Sequence, residues 1–164
     1  MEMSLRIPLL RLLEENARLQ PETLATMLEV EQKEVEQALR ELEQEKVILK
    51  YTATINWDKT EETWVTAMID VKVAPKKEVG FDEVAERIYR YPEVQSVYLM
   101  SGAYDLSVVV SGKSLQEVAQ FVSEKLSSLD SVLSTTTHFI LKKYKHDKVI
   151  FTDRESDKRM VVSP

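Results

Sequence analysis

The sequence contains no cysteine, which removes disulfides, a thiol nucleophile and a zinc ribbon from consideration. Only two histidines are present, His138 and His146, so a metal cluster is not expected. No cofactor is predicted either. No apolar run approaches the ~20 residues that span a bilayer, and the N-terminus lacks the apolar segment of a signal peptide. These absences predict a soluble cytoplasmic protein with no membrane partner.

Residue patterns typical of catalysis are also missing. There is no glycine-rich phosphate loop, no paired spacing of histidine and carboxylate, and no Ser/His/Asp order in a supporting context. The sequence therefore predicts a protein that is not an enzyme.

Residues 5–55 are patterned as three short helices. Only residues 29–31 separate the second helix from the third, so these two helices must turn sharply. From Val47 to Trp57 the apolar period changes to two, which predicts a β-strand. Three helices followed by a β-extension outline a winged helix-turn-helix. The apolar positions are Ile7, Leu10, Leu13 and Ala17, then Leu24, Ala25 and Leu28, then Val35, Leu39 and Leu42.

After a polar break at 58–63, the sequence alternates between strand and helix patterns. The order βαββαβ is that of the ferredoxin-like unit, so the fold class is α+β. Two helices would cover one face of its sheet, and the open face predicts a homodimer through the sheets. The expected domains are 1–57, a linker 58–63, a βαββαβ domain 64–144 and a basic, partly disordered tail 145–164. The expected elements are strand 64–73, helix 81–91, strands 94–101 and 103–110, helix 114–129 and strand 132–144, with Ser114 and Glu117 forming a capping box.

Two strand-like runs meet at Ser101-Gly102, which predicts a tight hairpin. Asp105 follows within apolar sequence, and two interpretations stay open. Its carboxylate either caps the bend through backbone N–H groups or holds the ammonium group of a ligand. His138, in the last strand, is expected to pack at the sheet interface.

The last twenty residues are net positive and lose periodicity. A solvated end is one interpretation. An arm that touches DNA or closes over a neighbouring subunit is the other.

Taken together, the chain resembles the Lrp/AsnC family of feast/famine regulators across residues 5–144. The segments that carry the resemblance are Asn16-Ala17-Arg18, Leu24-Ala25, Leu42-Glu43 with Val47-Ile48, Tyr91-Pro92-Glu93-Val94 and Ser101-Gly102-Ala103-Tyr104-Asp105. The resemblance implies a transcription regulator with a RAM-type C-terminal domain that binds an amino acid or a related metabolite between dimers. It also implies a homodimer, which in this family often assembles into an octamer.

The third helix departs from the family pattern in charge. Glu31 stands where the family usually has serine, Ala38 and Glu41 stand where basic residues commonly face DNA, and Lys46 replaces a glycine. Residues 31–45 carry six acidic and two basic residues, which opposes binding to phosphates.

A polar strip on this helix still favours binding to double-stranded DNA. Lys33, Gln37, Arg40 and Gln44 share one face and could read base edges, while Lys46 and Lys50 could contact phosphates. The alternative is a ligand-sensing co-regulator with weak or lost DNA binding.

An effector site is expected at the central hairpin. Asp105 would hold the ammonium group of an amino acid, backbone amides near Ser101, Gly102 and Ala103 would take its carboxylate, and Tyr104 would form an aromatic wall. Thr135 and Thr137 are candidate hydroxyl contributors. Sirohaem decarboxylases resemble the family in architecture, so an enzyme of that kind is a further alternative.

Overall fold

The computed structural model describes residues 3–74 and 80–151. The chain divides into two compact units, Met1–Ile55 and Asn56–Pro164. The part of the predicted basic tail from 152 to 164 lies outside the described residues. Each unit has its own apolar core.

The first unit consists of three helices: α1 (Met3–Glu15), α2 (Pro21–Leu28) and α3 (Gln32–Gln44). Pro21 begins α2, where its fixed φ suits the first turn and its missing N–H costs no hydrogen bond. The buried side chains lie three or four residues apart on α1 and α3, and on α2 the adjacent Leu24 and Ala25 are joined by the partly buried Leu28 one turn later, so each helix turns one apolar face inward. They are Leu9, Leu13, Leu24, Ala25, Val35, Ala38 and Leu42.

Left-handed residues end α2 and follow α3. Glu29, with φ 55°, ends α2 and lets the chain turn into α3 within three residues. Lys46, with φ 57°, follows α3, and Val47 N–H then donates to Leu42 O at 2.9 Å. This reversal after a helix is the one that glycine most often makes. The helix-turn-helix predicted from the sequence is therefore present as α2, a sharp turn and α3.

The alternating segment after α3 is not a strand in this structure. Residues 47–56 contain no strand, and Trp57–Lys59 forms a single 3₁₀ turn. A strand needs a neighbour for its N–H and C=O groups, and no other segment of the described chain pairs with this one. The period-two pattern therefore does not produce the predicted β-extension within one chain.

The second unit has the predicted order βαββαβ. Its elements are β1 (Val65–Val73), α4 (Phe81–Tyr89), β2 (Val94–Leu99), β3 (Leu106–Gly112), α5 (Leu115–Phe121) and β4 (Val132–Phe139). The four strands form one antiparallel sheet in the order β2-β3-β1-β4. This helical N-terminus followed by an α+β unit confirms the predicted fold class.

Alternation along β1 separates the two faces of the sheet. Ile69 and Val71 are fully buried against the helices, together with Val108 of β3 and Ile88 of α4. The intervening residues lie on the opposite, open face, which no helix of the described chain covers. The register places on this open face Met68, Asp70 and Lys72 of β1, Ser107 and Val109 of β3, Tyr98 of β2, and Thr136 and His138 of β4.

Three details differ from the predicted elements. Strands β2 and β3 pair only as far as Leu99 and Leu106, so a six-residue loop, 100–105, connects them in place of the predicted tight hairpin. The last residue of this loop, Asp105, bonds to β1. Helix α5 passes into a π-helical turn, Val122–Leu126, which directs Lys125 onto Glu93. Residues of the predicted tail form a small hairpin of β5 (Lys145–His146) and β6 (Val149–Ile150).

Candidate functional site

The outer face of α3 is polar because its apolar residues all turn inward. Val35, Ala38 and Leu42 are buried in the core of the first unit. The predicted strip, made up of Lys33, Gln37, Arg40 and Gln44, is exposed along the opposite side. Ala38, placed by the family resemblance at a position that faces DNA, is 9% exposed and packs inside. Its lack of charge therefore removes nothing from the outer face.

The two basic side chains of this strip are available to a ligand. Within the part of the chain that the structure describes, neither Lys33 nor Arg40 pairs with a carboxylate. Glu36, which stands four residues before Arg40, accepts a hydrogen bond from Gln32 at 2.8 Å instead. Gln37 is less free, because its amide donates to Glu41 at 2.9 Å.

Two acidic residues at the end of α3 are occupied within the unit. Arg6 of α1 forms a salt bridge with Glu45. Tyr51 donates its hydroxyl to Glu43 at 2.8 Å, and burial together with the Glu43 carboxylate raises the pKa of Tyr51 to about 12. Lys46 and Lys50, the predicted phosphate contacts, are exposed on the segment between these residues.

The predicted effector residues of the β2–β3 loop are gathered at one end of the sheet. Ser101, Gly102 and Ala103 are exposed, and within the described structure no carbonyl or side chain accepts from their N–H groups. A Cβ added to Gly102 would meet no atom within 4 Å, so this glycine leaves open space and is not required by packing. The loop thus presents three N–H donors that could bind a carboxylate.

Asp105 connects this loop to β1. Val73 N–H donates to its Oδ2 at 2.8 Å, its own N–H donates to Val71 O at 3.0 Å, and its carbonyl accepts from Met100 N–H at 2.8 Å. The carboxylate therefore holds a neighbouring strand rather than capping its own bend. A carboxylate has two oxygens, and the bond from Val73 uses one of them.

Thr135 and Thr137 are not beside the loop. They pair with Val71 and Ile69, so β1 lies between them and Asp105. Adjacent strands are ~4.8 Å apart, so two strand spacings, or about 10 Å, separate these threonines from β3, the strand that follows the loop. Within one chain the structure does not bring them into the same site as Asp105.

Sequence reasoning missed a polar network on the open face. His138 Nε2 lies 2.9 Å from Asp70 Oδ2, and the register brings the two residues together across β1 and β4. The negative charge of Asp70, then burial and a hydrogen bond to Asp70, raise the pKa of Tyr104. The available signal was the lone carboxylate at position 70 within an apolar strand. Among the described residues no three acidic or histidine side chains are grouped to hold a metal ion.

Comparison with known proteins identifies relatives of the whole chain. Residues 66–150 match the family described as the Lrp/AsnC ligand binding domain. The chain is 61% identical over 157 residues to the uncharacterized HTH-type transcriptional regulator YugG of Bacillus subtilis, covering 95% of each chain. It is 32% identical over 143 residues to the uncharacterized HTH-type transcriptional regulator PH0140 of Pyrococcus horikoshii, covering 86% of this chain and 88% of that one.

Solved structures share the fold. A transcriptional regulator of Neisseria meningitidis in complex with L-methionine has a TM-score of 0.72 at 24% identity, over 87% of this chain and 91% of that one. The feast or famine regulatory protein of M. tuberculosis, also complexed with L-methionine, has a TM-score of 0.73 at 21% identity, over 91% and 98%. AsnC of E. coli has a TM-score of 0.69 at 19% identity, over 87% and 94%.

A helix-turn-helix unit joined to a four-stranded βαββαβ unit, with relatives of these names, defines the class of HTH-type transcriptional regulators. Within this class the chain belongs to the Lrp/AsnC family. The structure contains no helix long and apolar enough to cross a membrane among the residues that it describes.

Proposed function

We propose that this protein is a transcription regulator that binds double-stranded DNA through α2 and α3 and responds to an amino acid bound by its second unit. The observation that carries the DNA part is the outer face of α3. Its Lys33 and Arg40 are exposed and pair with no carboxylate of the described chain. Glutamine and arginine side chains on one helix face suit the base edges of the major groove. The proposed action is regulatory and includes no catalytic step.

The DNA proposal is tested with the double variant Lys33→Gln and Arg40→Gln in the full chain. We expect weaker binding to sheared genomic fragments in gel shifts at low salt. The slope of log affinity against log salt should fall by about two per protomer that contacts DNA. The matched control, Arg87→Gln with Arg90→Gln, removes the same charge from exposed positions of α4 and should bind as the parent does.

A second candidate function is favoured by the acidic composition of the same helix. Six acidic residues between 31 and 45 repel phosphates, so a co-regulator that senses a ligand and joins other DNA-binding subunits is the alternative. Absence of any gel shift by the parent protein, with and without amino acids, would overturn the DNA proposal and favour this alternative.

For the effector we propose an α-amino acid, and L-methionine is the first probe because two structural neighbours are complexes with it. In the proposed contact, the N–H groups of Ser101, Gly102 and Ala103 bind the carboxylate. Asp105 Oδ1 accepts from the ammonium group, and Tyr104 closes one side. Thr135 and Thr137 stay predictions whose participation would require a neighbouring subunit.

Two variants of Asp105 separate ligand binding from stability. Asp105→Asn keeps an oxygen for Val73 N–H but removes the negative charge, whereas Asp105→Ala removes both. We expect both variants to weaken L-methionine binding by about tenfold or more in calorimetric titration. Only Asp105→Ala should also lower the free energy of unfolding, by about 1–2 kcal/mol, because it leaves Val73 N–H without its partner.

The same titration should be run with the other amino acids to identify the class of side chain. Full affinity in Asp105→Asn for whichever amino acid binds would remove Asp105 from the ligand contact.

We also propose the assembly and its boundaries. A homodimer would form through the open faces of two sheets, and dimers would combine into an octamer with effectors between them. The domain limits proposed are 1–57 for DNA binding, 58–63 for the linker, 64–144 for effector binding and assembly, and 145–164 for the tail. A regulator of this kind would work in the cytoplasm, where it meets DNA.

A further inference from the structure

The C-terminal residues that the structure describes form a basic hairpin, defined here as residues 142–151. Four of its residues are lysines and one is acidic, so it carries a net charge of about +3 at neutral pH. The lysines are Lys142, Lys143, Lys145 and Lys148. Three of the four are exposed, and Lys143 is half-buried. Exposed Tyr144 lies among them, with its ring 5.0 Å from the Lys142 ammonium.

The tip of this basic hairpin holds a lysine where the backbone favours glycine. Strands β5 and β6 pair Lys145 with Ile150 and His146 with Val149, which leaves two residues in the turn. Both have positive φ, 46° at Asp147 and 67° at Lys148. Two-residue turns of this kind usually place glycine second, because glycine has no Cβ to strain. Strained backbone concentrates at functional positions, and here it keeps an ammonium group at the tip.

The first unit is poor in positive charge, so DNA binding would require cations from elsewhere in the chain. Residues 1–55 contain seven basic and eleven acidic residues, so the unit that carries the helix-turn-helix is net negative. Base contacts from α3 specify a site, but affinity for DNA comes largely from neutralised phosphates. Two unpaired basic residues on α3 supply few such contacts. Within the second unit, residues 80–140 are also net negative, with eight acidic and four basic residues.

We propose that the basic hairpin is a second DNA-contacting element, which binds the phosphate backbone without reading bases. This inference rests on the proposed function, because it supplies the affinity that the acidic α3 lacks. Lysines are point charges suited to phosphates, and Tyr144 adds a surface that can pack on the sugar. The hairpin would contribute equally on any sequence, whereas α3 would choose among sequences.

The test measures binding of the full chain to a labelled duplex of random sequence by fluorescence anisotropy over a salt series. Lys142→Gln with Lys145→Gln should reduce the slope of log affinity against log salt by about two per protomer. The loss of affinity between about 50 and about 200 mM salt then becomes roughly tenfold smaller. Lys148→Gly is the second variant, since it preserves the turn and should reduce the slope by about one.

Arg87→Gln with Arg90→Gln serves as the control, because it removes two exposed charges from α4. An unchanged slope in both hairpin variants overturns the inference, and so does an equal reduction in the control. If Lys33→Gln with Arg40→Gln loses binding while the hairpin variants keep it, the proposed function stands and the hairpin has no part in it. If the parent protein binds no duplex at the lowest salt, both proposals fall.

A second copy of this chain is the competing occupant, because the acidic α3 complements the hairpin in charge. Sedimentation velocity of the same variants distinguishes the two. Dissociation of the assembly by Lys142→Gln with Lys145→Gln, with the salt slope unchanged, would assign the hairpin to contacts between subunits and overturn its role on DNA.

Discussion

At the scale of single residues, Tyr51 holds the segment after α3 against the helix. Its hydroxyl donates to Glu43, and the ring is 46% exposed, so the contact lies at the surface. Burial disfavours the charged form of the tyrosine, and ionisation would also break the hydrogen bond to Glu43 and place a second negative charge beside its carboxylate. The pKa of Tyr51 is therefore raised to about 12.

This contact predicts a loss of stability in alkali. The pKa of Tyr51 in the folded chain is above the ordinary value of 10.0, so its contribution to stability is complete below pH 10. It is lost as the pH rises towards about 12, because the unfolded chain ionises first. Tyrosinate absorbance during alkaline titration should end in a component near pH 12, above the ordinary range of tyrosine. Tyr51→Phe should remove that component, and titration of all tyrosines together near pH 10 in the parent would contradict the prediction.

The sequence singled out some candidate site residues but could not give their partners. Asp105 stands out as a lone carboxylate in apolar sequence, yet its bond to Val73 depends on how β1 lies beside the loop. The pair of Asp70 and His138 was missed because 68 residues separate its members and only the strand register joins them. His138 is on the open face, and its side chain is 57% exposed.

At the scale of elements, α5 begins with the capping box that the sequence predicts. Ser114 Oγ accepts from Glu117 N–H at 3.1 Å, and Glu117 Oε2 accepts from Lys113 N–H at 2.5 Å. The first bond satisfies an N–H group that a helix start otherwise leaves unpaired, and the second pairs the N–H of the residue before the N-cap, where a standard capping box pairs the N–H of the N-cap itself. The neighbouring Lys113 ammonium lies 3.9 Å from the centre of the Trp64 ring, so an optical reporter stands close to the cap.

Ser114→Ala should lower the free energy of unfolding of the second unit by about 1 kcal/mol, because Glu117 N–H loses its acceptor. Tryptophan fluorescence in urea measures this unit, since both tryptophans lie in it. Ser114→Asp, which restores an acceptor, should be close to the parent. A loss of equal size in both variants would show that the hydroxyl contact is not the cause.

A helix or strand was predictable where its sequence pattern is matched by a neighbouring element that packs against it or pairs with it. The helices and the four sheet strands follow from periodicity, because each buries an apolar face against the others. The segment from Val47 to Trp57 has an equally clear alternation but no pairing neighbour among residues 3–74 and 80–151, so the pattern alone misleads. The π-helical turn after Phe121 has no periodic signal, and the Lys125–Glu93 salt bridge that it positions is tertiary.

At the scale of the whole molecule, the open face of the sheet determines how copies could associate. Met68 lies on the central strand β1 and is 44% exposed, and Tyr98 on β2 is 54% exposed. Asp70 lies on the same central strand as Met68, and Thr136 and His138 lie on the edge strand β4, so exposed apolar and polar side chains share this face. Exposed apolar side chains on a sheet face that no helix covers are typical of interfaces.

Met68→Lys should weaken a dimer formed through this face by roughly a hundredfold or more, because it buries an unpaired ammonium group. Sedimentation velocity over a range of protein concentrations measures the change. Leu115→Lys, at a residue of similar exposure on α5, provides the matched control and should leave association unchanged. Association that survives Met68→Lys, or that fails equally in the control, would place the interface elsewhere.

The left-handed residues of this chain have a consequence for its heat tolerance. All four such positions in the described structure carry charged side chains, namely Glu29, Lys46, Asp147 and Lys148, and no glycine has positive φ. Each non-glycine residue in this conformation lowers the stability of the folded state by about 1–2 kcal/mol. Glycine at these positions would therefore raise the melting temperature. Glycine at Glu29 would do so without affecting a proposed contact. At Lys46 and Lys148 the same substitution would also remove a positive charge. Greater thermostability would therefore come at the expense of the proposed DNA contacts at these two positions.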